Sequence, residues 1–353
     1  MKILVIQQKM MGDVLTSTII CEVLRKEYPD ARIDYLVNSS TRPVVAENKF
    51  FDNIVEFKPV YRDSKIEFYR FLLTIRKTKY DRVIDAYGKL ESNLIALFSG
   101  APEKISFYKW YTQFIYTKTI HRVSQPITNA STAIENRLRL VFPENRITSE
   151  IVKPKIYLTE EEKEKAKEFL ESNDIDLKKP LVMISVIGSE ESKTLPLEYM
   201  AKVIDEIVNT SGANILFNYI PNQEKDARTV YNLTNYKTQQ HIHFDVFAKS
   251  LRGFIAILSH CNVLVGNEGG AVNIAKALDV STFTIFSPWI IKNHWNMFED
   301  NEKHLSVHLA DYIPSLFANK SVKELKNTSV ELYPNFEPEL FIYQLKEFLH
   351  KNL

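Results

Sequence analysis

A glycine-rich turn near residue 268 has the residue types best suited to binding an anion. Residues 263–270, VLVGNEGG, hold three of the nine glycines of the chain. An apolar run precedes the turn and a helix-like segment, 271–278, follows it. This order predicts a strand, a tight loop and a helix N-terminus, where free N–H groups and the helix dipole attract negative charge. An ordinary turn that needs small residues for packing fits the pattern equally well.

Asp13 is the first candidate catalytic residue. The apolar run at residues 3–6 predicts a strand, and Gly12 and Asp13 stand where a helix is predicted to begin. Open α/β sheets bind ligands at the carboxyl ends of their strands, so a carboxylate here could accept a proton from an attacking hydroxyl. The structural alternative is an aspartate that only caps the helix. No GxGxxG follows the strand, which argues against a nicotinamide-dependent dehydrogenase.

A second loop with donors for an anion lies in the C-terminal half, at residues 185–196, SVIGSEESKTLP. Gly188 and Ser189 offer backbone and hydroxyl donors, and Lys193 offers a positive charge. The spacing is not that of a Walker A loop. A solvated loop with a surface lysine is the alternative.

Strands alternate with helices along the chain, in two series separated by an aperiodic segment at 144–158. The predicted strands are 3–6, 33–37, 54–57, 81–86, 181–186, 214–217, a short one near 242, 262–265 and, as the last, 282–286. The predicted helices are 14–27, 64–77, 160–172, 197–209, 222–232, 247–260, 271–278 and 338–349. The alternation predicts an α/β fold of two Rossmann-like halves. We expect domains at 1–155 and 156–335, with a terminal helix in 336–353 that packs back on the first domain.

The composition is that of a soluble globular enzyme, with 45% hydrophobic and 25% charged residues among 353. No apolar run approaches the ~20 residues of a membrane span, and the N-terminal run is too short for a signal peptide, so we expect a cytoplasmic protein. Two cysteines, Cys21 and Cys261, indicate neither a disulfide framework nor a zinc site. Residues 1–150 carry 23 basic against 17 acidic residues, a net charge of +6, which points to an anionic partner for that half.

Three motifs, in the same order along the chain, resemble those of glycosyltransferase family 9, the ADP-heptose:lipopolysaccharide heptosyltransferases. The first is KMMGDVLTST at 9–18, after the first strand. The second is the lysine loop at 189–196. The third is NEGG at 267–270, with AKALD at 275–279 and FSP at 286–288.

This resemblance implies a GT-B fold, in which two Rossmann-like domains face a central cleft. It also implies inversion at the anomeric carbon without a metal or cofactor. Asp13 would be the general base, with Lys9 and Gly12 beside it on the acceptor side. The residues that would bind the nucleotide-sugar donor are Gly188, Ser189, Lys193, Glu268, Gly269, Gly270 and Asn273.

The third motif departs from the family pattern at three positions. Glu268 stands where the family has aspartate, Gly269 where it has serine or threonine, and Asn273 where it has histidine. Contacts to the donor sugar should therefore differ. The donor is a heptose carried by ADP, or a sugar carried by UDP or GDP. A binding protein for nucleotide-sugars or glycans that has lost turnover is the alternative from another class.

Residues 104–118, KISFYKWYTQFIYTK, mix aromatic and basic side chains in the acceptor half. Three interpretations are open: a core strand with its loop, a nucleic-acid surface, and a surface that faces the acceptor or a membrane. No RNA-binding signature accompanies the segment, so we expect no nucleic acid. The expected partners are a nucleoside diphosphate sugar and a lipid-linked or anionic saccharide. The protein would then touch the inner face of the cytoplasmic membrane peripherally.

Overall fold

A computed structural model describes residues 1–353 and divides them into two compact units. The first unit comprises Met1–Tyr157 and Asn293–Met297, and the second comprises Leu158–Lys292 and Phe298–Leu353. The sequence analysis placed a boundary at residue 155 and did not anticipate that a short later segment belongs to the first unit.

The first unit is built on a six-stranded sheet in which every pairing is parallel. Its strands are β1 (Lys2–Ile6), β2 (Arg32–Asn38), β3 (Asn53–Phe57), β4 (Arg82–Asp85), β5 (Glu103–Phe107) and β6 (Lys118–Ile120). They lie in the order β3-β2-β1-β4-β5-β6. Its helices are α1 (Met11–Glu27), α2 (Val60–Asp63), α3 (Lys65–Thr78), α4 (Leu90–Phe98) and α5 (Ser131–Leu138).

The second unit has a five-stranded sheet, again parallel throughout. Its strands are β7 (Leu181–Ser185), β8 (Asn214–Asn218), β9 (Val263–Asn267), β10 (Ser281–Ile285) and β11 (His304–Val307), in the order β11-β10-β9-β7-β8. The helices before β10 are α6 (Glu160–Ser172), α7 (Leu197–Ser211), α8 (Glu224–Leu233), α9 (Tyr236–Gln239), α10 (Leu251–Leu258) and α11 (Gly270–Ala277). Those after it are α12 (Lys292–Trp295), α13 (Leu309–Tyr312), α14 (Val322–Asn327), α15 (Ser329–Leu332) and α16 (Ile342–Asn352). Of α12, only Lys292 belongs to the second unit, and its other residues belong to the first.

Burial on both faces explains why the apolar runs of β1, β7 and β9 show no alternation with polar residues. In β1 all residues after Lys2 are buried, and β7, β9 and β10 are buried along their whole length. A parallel sheet covered by helices on both sides requires this pattern. In the first unit α1 is itself almost wholly buried, and the Tyr35 hydroxyl of β2 donates to the Val14 carbonyl oxygen at 2.6 Å.

The terminal helix α16 belongs to the core of the second unit, whereas the sequence analysis expected it on the first domain. It packs against α7 and β10, and its Phe348 ring lies 5.6 Å from the Phe283 ring of β10, centroid to centroid. Leu345, Phe348 and Leu349 are buried in the same apolar cluster as the strands. The apolar face of the helix therefore completes this unit.

Several elements differ from the sequence predictions. Strand β10, at 281–285, was predicted to be the last strand, but β11 follows it and pairs with it. Strand β11 was not predicted because its polar residues His304 and Ser306 interrupt the apolar pattern. Strand β6 and helices α4 and α5 were not predicted, whereas β5 and the loop after it agree with the core-strand interpretation of residues 104–118. The expected strand near 242 is a single bridge between Ile215 and Ile242, and α10 is shorter than the predicted helix at 247–260.

Both cysteines are buried thiols, and burial raises their pKa above the ordinary value. None of the helices combines the length and the apolar character that crossing a lipid bilayer requires.

Gly266 lies inside β9, at a point where the backbones of β9 and β7 approach closely. Its φ is +130°, and a Cβ built on it would lie 2.5 Å from the Ser185 carbonyl oxygen. Only glycine tolerates both the conformation and the contact. This glycine of the glycine-rich turn is thus required for packing. Gly269, three residues later, has an extended φ of 161° and nothing within 4 Å of the Cβ position.

We therefore predict that Gly266→Ala destabilises the protein and that Gly269→Ala, the matched control, does not. The first change forces a clash between strands and a strained φ, which together cost about 2 kcal/mol or more. The second should stay within about 0.5 kcal/mol. Calorimetry of the full chain measures both, and equal melting temperatures for the two variants would refute this account of Gly266.

Candidate functional site

The predicted site residues lie in the loops and first helical turns that follow the carboxyl ends of parallel strands. Lys9, Gly12 and Asp13 follow β1 in the first unit. In the second unit the loop 186–196 follows β7, and Glu268 and Gly269 follow β9. Each sheet therefore gathers its own predicted residues at the edge where open α/β sheets bind ligands.

Asp13 lies in the first turn of α1, which begins at Met11 and not at the predicted Val14. It is therefore not the N-cap residue. Its Oδ2 accepts a long hydrogen bond from the Met10 N–H, at 3.4 Å, and its Oδ1 accepts from Nη2 of Arg137 at 2.7 Å. The carboxylate is partly exposed. An oriented, solvent-accessible carboxylate has the geometry that a general base needs.

Arg137 fixes that carboxylate and was missed by the sequence analysis. Its guanidinium comes from α5 and is buried. Nε donates to the Ser17 hydroxyl and Nη1 to the Ala133 carbonyl oxygen, each at 2.7 Å. These hydrogen bonds fix the orientation of the guanidinium group, so Arg137 holds Oδ1 of Asp13 in one position.

The other two predicted residues of this loop have different surroundings. The Gly12 carbonyl oxygen accepts from the Thr16 hydroxyl at 2.8 Å within α1, and Gly12 is buried. Lys9 is exposed, and its carbonyl oxygen accepts from Nε2 of Gln7 at 2.8 Å. Lys9 is thus available to a ligand, whereas Gly12 serves the start of the helix.

A buried carboxylate shapes the neighbouring loop after β4. Asp85 accepts from the N–H groups of Tyr87 and Gly88, at 2.9 and 2.8 Å, and from the Tyr116 hydroxyl at 2.7 Å. Burial raises its pKa, and the bond from Tyr116 opposes that shift. The ammonium of Lys109 in turn donates to the Gly88 carbonyl oxygen at 2.5 Å.

Lys109 lies within electrostatic range of two further basic side chains at this edge, Lys89 and Arg122. Burial, then Lys89, then Arg122 lower the pKa of Lys109. Desolvation and the charge of Arg137 lower the pKa of Arg122, and Asp13 opposes that shift. The Arg122 guanidinium packs over the Phe107 ring, 3.8 Å from its centroid. Positive charges gathered in this way attract an anion.

In the second unit, Asn267 joins the two predicted loops. Its Nδ2 donates to the carbonyl oxygens of Ser185 and Val186, at 3.1 and 3.0 Å, and its Oδ1 accepts from the Leu195 N–H at 2.8 Å. Asn267 is buried. One side chain therefore fixes the end of β9 to both ends of the lysine loop.

Gly188 closes the lysine loop instead of offering a free donor. Its N–H donates to the Thr194 hydroxyl at 3.1 Å, and Nε2 of Gln223 donates to its carbonyl oxygen at 2.7 Å. A Cβ at this position would lie 2.2 Å from the Lys193 carbonyl oxygen. Ser189 is exposed beside it. The close approach of the two backbone segments explains the need for glycine.

Lys193 and Glu268 form a pair in which the carboxylate is the more deeply buried partner. Their Nζ and Oε1 atoms are 3.4 Å apart, with 22% and 11% of the side chains exposed. Burial raises the pKa of Glu268, and Lys193 opposes that shift. Gly269 follows in open space, and Gly270 is the first residue of α11, which also carries Asn273. The arrangement places an ammonium near a helix N-terminus, a combination that stabilises anions.

No group of three or more His, Cys, Asp or Glu side chains in the structure is arranged to hold a metal ion.

Comparison with known proteins extends over nearly the whole chain. The model of glycosyltransferase family 9 (heptosyltransferase) matches residues 68–319, a segment that includes both loops of the second unit but not Asp13. Lipopolysaccharide heptosyltransferase 2 of Salmonella typhimurium is 22% identical over 301 residues, which cover 82% of this chain and 83% of the relative.

Two solved structures show the same fold. The family 9 glycosyltransferase of Veillonella parvula superposes with a TM-score of 0.78 at 18% identity, covering 99% of this chain and 97% of its own. The Escherichia coli ADP-heptose lps heptosyltransferase II superposes with a TM-score of 0.75 at 15% identity, covering 99% of both chains. The resemblance to this family is thus confirmed, together with the α/β fold of the GT-B type: the chain belongs to glycosyltransferase family 9 and is a glycosyltransferase.

Proposed function

We propose that this protein transfers a sugar, with inversion at the anomeric carbon, from a nucleoside diphosphate sugar to a lipopolysaccharide core or related cell-surface saccharide. The observation that carries the proposal is the partly exposed carboxylate of Asp13, held by buried Arg137 at the end of β1. Family membership supports the reaction class. One similar structure is described as an ADP-heptose heptosyltransferase, which makes heptose carried by ADP the first candidate donor.

In the proposed reaction each unit supplies one part of the chemistry. Asp13 takes the proton of the acceptor hydroxyl, whose oxygen then forms a bond to the anomeric carbon of the donor. The bond from that carbon to the diphosphate oxygen breaks, and the nucleoside diphosphate leaves with the bonding electron pair. Lys193 and the N-terminus of α11 stabilise the charge that develops on it. No metal is invoked.

A donor carried by UDP or GDP is the second candidate, because the third motif departs from the family pattern at Glu268 and Gly269. The Glu268 side chain is one methylene longer than the family's aspartate and pairs with Lys193, and Gly269 has no hydroxyl to offer a sugar. These changes alter the side chains expected to contact the donor sugar. They leave Lys193 and the N-terminus of α11 available to the diphosphate.

The acceptor we propose is an anionic saccharide. Lys89, Lys109 and Arg122 form a positive region at the edge of the first sheet, within electrostatic range of Asp13 through Arg122. A phosphate or carboxylate group on the acceptor would satisfy this charge.

We also propose that the loop after β5 rests on the membrane that carries such an acceptor. Trp110 and Phe114 are 75% and 79% exposed, with Tyr111 between them. Lys109 and Lys118 flank these aromatic side chains. Aromatic rings with neighbouring lysines are typical of surfaces that bind the interface of an anionic bilayer.

The base role is tested with Asp13→Asn. This change keeps the shape of the side chain but removes the proton acceptor, so we expect kcat/KM for sugar transfer to fall by about 10²- to 10⁴-fold. Transfer is measured from ADP-heptose to heptose-deficient lipopolysaccharide, and Asp30→Asn, an exposed residue of the same unit, is the control. Undiminished transfer by Asp13→Asn would remove this residue from the base role.

The donor is identified by thermal shift with ADP, UDP and GDP. A ligand at 100 times its Kd stabilises the folded protein by about 2.7 kcal/mol, so the right nucleotide gives the largest rise in melting temperature. Lys193→Ala should abolish that rise, and Lys178→Ala, an exposed lysine of the same unit, should keep it. A rise that persists in Lys193→Ala contradicts the assignment of the diphosphate to this loop.

Membrane contact is tested by sedimentation with phosphatidylglycerol vesicles. Replacing Trp110 and Phe114 together by serine should weaken binding at least tenfold, because burial of each aromatic ring in the interface contributes about 1.5–3 kcal/mol. The control replaces Tyr236 and Tyr343, which are 78% and 71% exposed in the second unit, by serine. Equal binding of the two double variants would exclude the loop as the contact.

A further inference from the structure

Trp289 holds two lysine ammonium groups at the loop that carries Lys193. Nζ of Lys193 lies 5.2 Å from the centroid of the indole ring, and Nζ of Lys326 lies 4.6 Å from it. The indole Nε1 donates to the Ser192 carbonyl oxygen at 3.2 Å. The ring is therefore bound to the loop itself, and cation–π attraction keeps both ammonium groups beside it.

Lys326 reaches this loop from a distant part of the sequence. It lies in α14, and the following helix, α15, packs against residues 191–193. The family match ends at residue 319, so this segment lies outside it. The spacing of residues around Lys326 gives no hint of its position, because the contact depends entirely on how the C-terminal segment folds over the loop.

The charge balance of the loop depends on Lys326. Lys193 pairs with Glu268, and Lys326 pairs with Glu190, their Nζ and Oε1 atoms 3.6 Å apart. Glu190 also acts on Glu268, since its charge helps to raise the pKa of that buried carboxyl. Without Lys326, two carboxylates would face a single ammonium where an anion is to bind. With it, the four charges sum to zero, and the N-terminus of α11 adds a positive potential.

The pair of Lys326 and Glu190 can open for a ligand. Both side chains are about half exposed, at 48% and 45%, so solvent screens their attraction. A phosphate oxygen offers the ammonium a shorter, charge-assisted hydrogen bond, while Glu190 turns to water. Trp289 keeps the ammonium near the loop during this exchange.

We propose that Lys326 is a second cation for the diphosphate of the donor, acting together with Lys193. This inference rests on the proposed function, because it takes the loop 188–193 to be the diphosphate site. The ligand class is a nucleoside diphosphate, with Lys326 on the terminal phosphate, the one that a nucleoside monophosphate lacks.

The experiment compares nucleotide dissociation constants by calorimetry for the full chain and three variants. The probes are ADP with AMP, UDP with UMP, and GDP with GMP, and the pair that binds the unchanged protein most tightly is used. Lys326→Ala should weaken the diphosphate about tenfold and leave the monophosphate unchanged. Lys326→Arg should restore most of the loss. Lys323→Ala, an exposed lysine on the same helix, is the control and should change neither constant.

The outcomes distinguish a failure of this inference from a failure of the proposed function. If the unchanged protein binds no nucleoside diphosphate, the proposed function is wrong. Tight binding that Lys326→Ala leaves unaltered, or weakens equally for the diphosphate and the monophosphate, would overturn the role of Lys326 alone. A selective loss of diphosphate affinity, absent from Lys323→Ala, supports it.

Discussion

Parallel pairing of every strand is the constraint on which the rest of this protein depends. A parallel strand must be followed by a connection that crosses back over the sheet, so the segments leaving successive strands collect at one edge. In the first unit this brings Asp13, after β1, and Lys109, after β5, to the same edge. In the second it does so for Lys193, Glu268 and Trp289. Residues remote in sequence become neighbours without any long loop.

Charges at both sites are arranged as dependent pairs in which one partner is the more buried. Arg137 is more buried than Asp13, and Glu268 more than Lys193. Removing one partner of a buried pair leaves an uncompensated charge, which costs about 3–5 kcal/mol where burial is complete. Removing the more exposed partner, Asp13 or Lys193, leaves the more buried charge unpaired, so the loss of pairing costs more than when the buried partner is removed. Substitutions of Asp13 and Lys193 will therefore change folding as well.

Sequence patterns predicted the elements that have strong local signals. The apolar run of β1, the amphipathic α7 and the glycine-rich turn after β9 were all recognised, and with them the family. His304 and Ser306 broke the apolar pattern of β11, and this strand was missed because its partner, β10, defines it.

The supporting side chains of the sites could not be predicted. Arg137 bonds to a residue 124 positions away, and Asn267 to residues 72 to 82 positions away. A polar residue in a helix or at a strand end has many possible partners in the sequence, and only the fold selects one. The residues proposed for catalysis and binding thus carried local signals, and those that hold them in place did not.

The position of α16 also sets the order in which the two units can form during synthesis. All six strands of the first sheet have been made once Ile120 leaves the ribosome, and that unit is complete by Tyr157 except for the short segment 293–297. The second unit cannot close its apolar core before Phe348 and Leu349 are available. Its sheet is left without α16 until residues 342–352 have been made, and the apolar face of β10 stays uncovered for that interval.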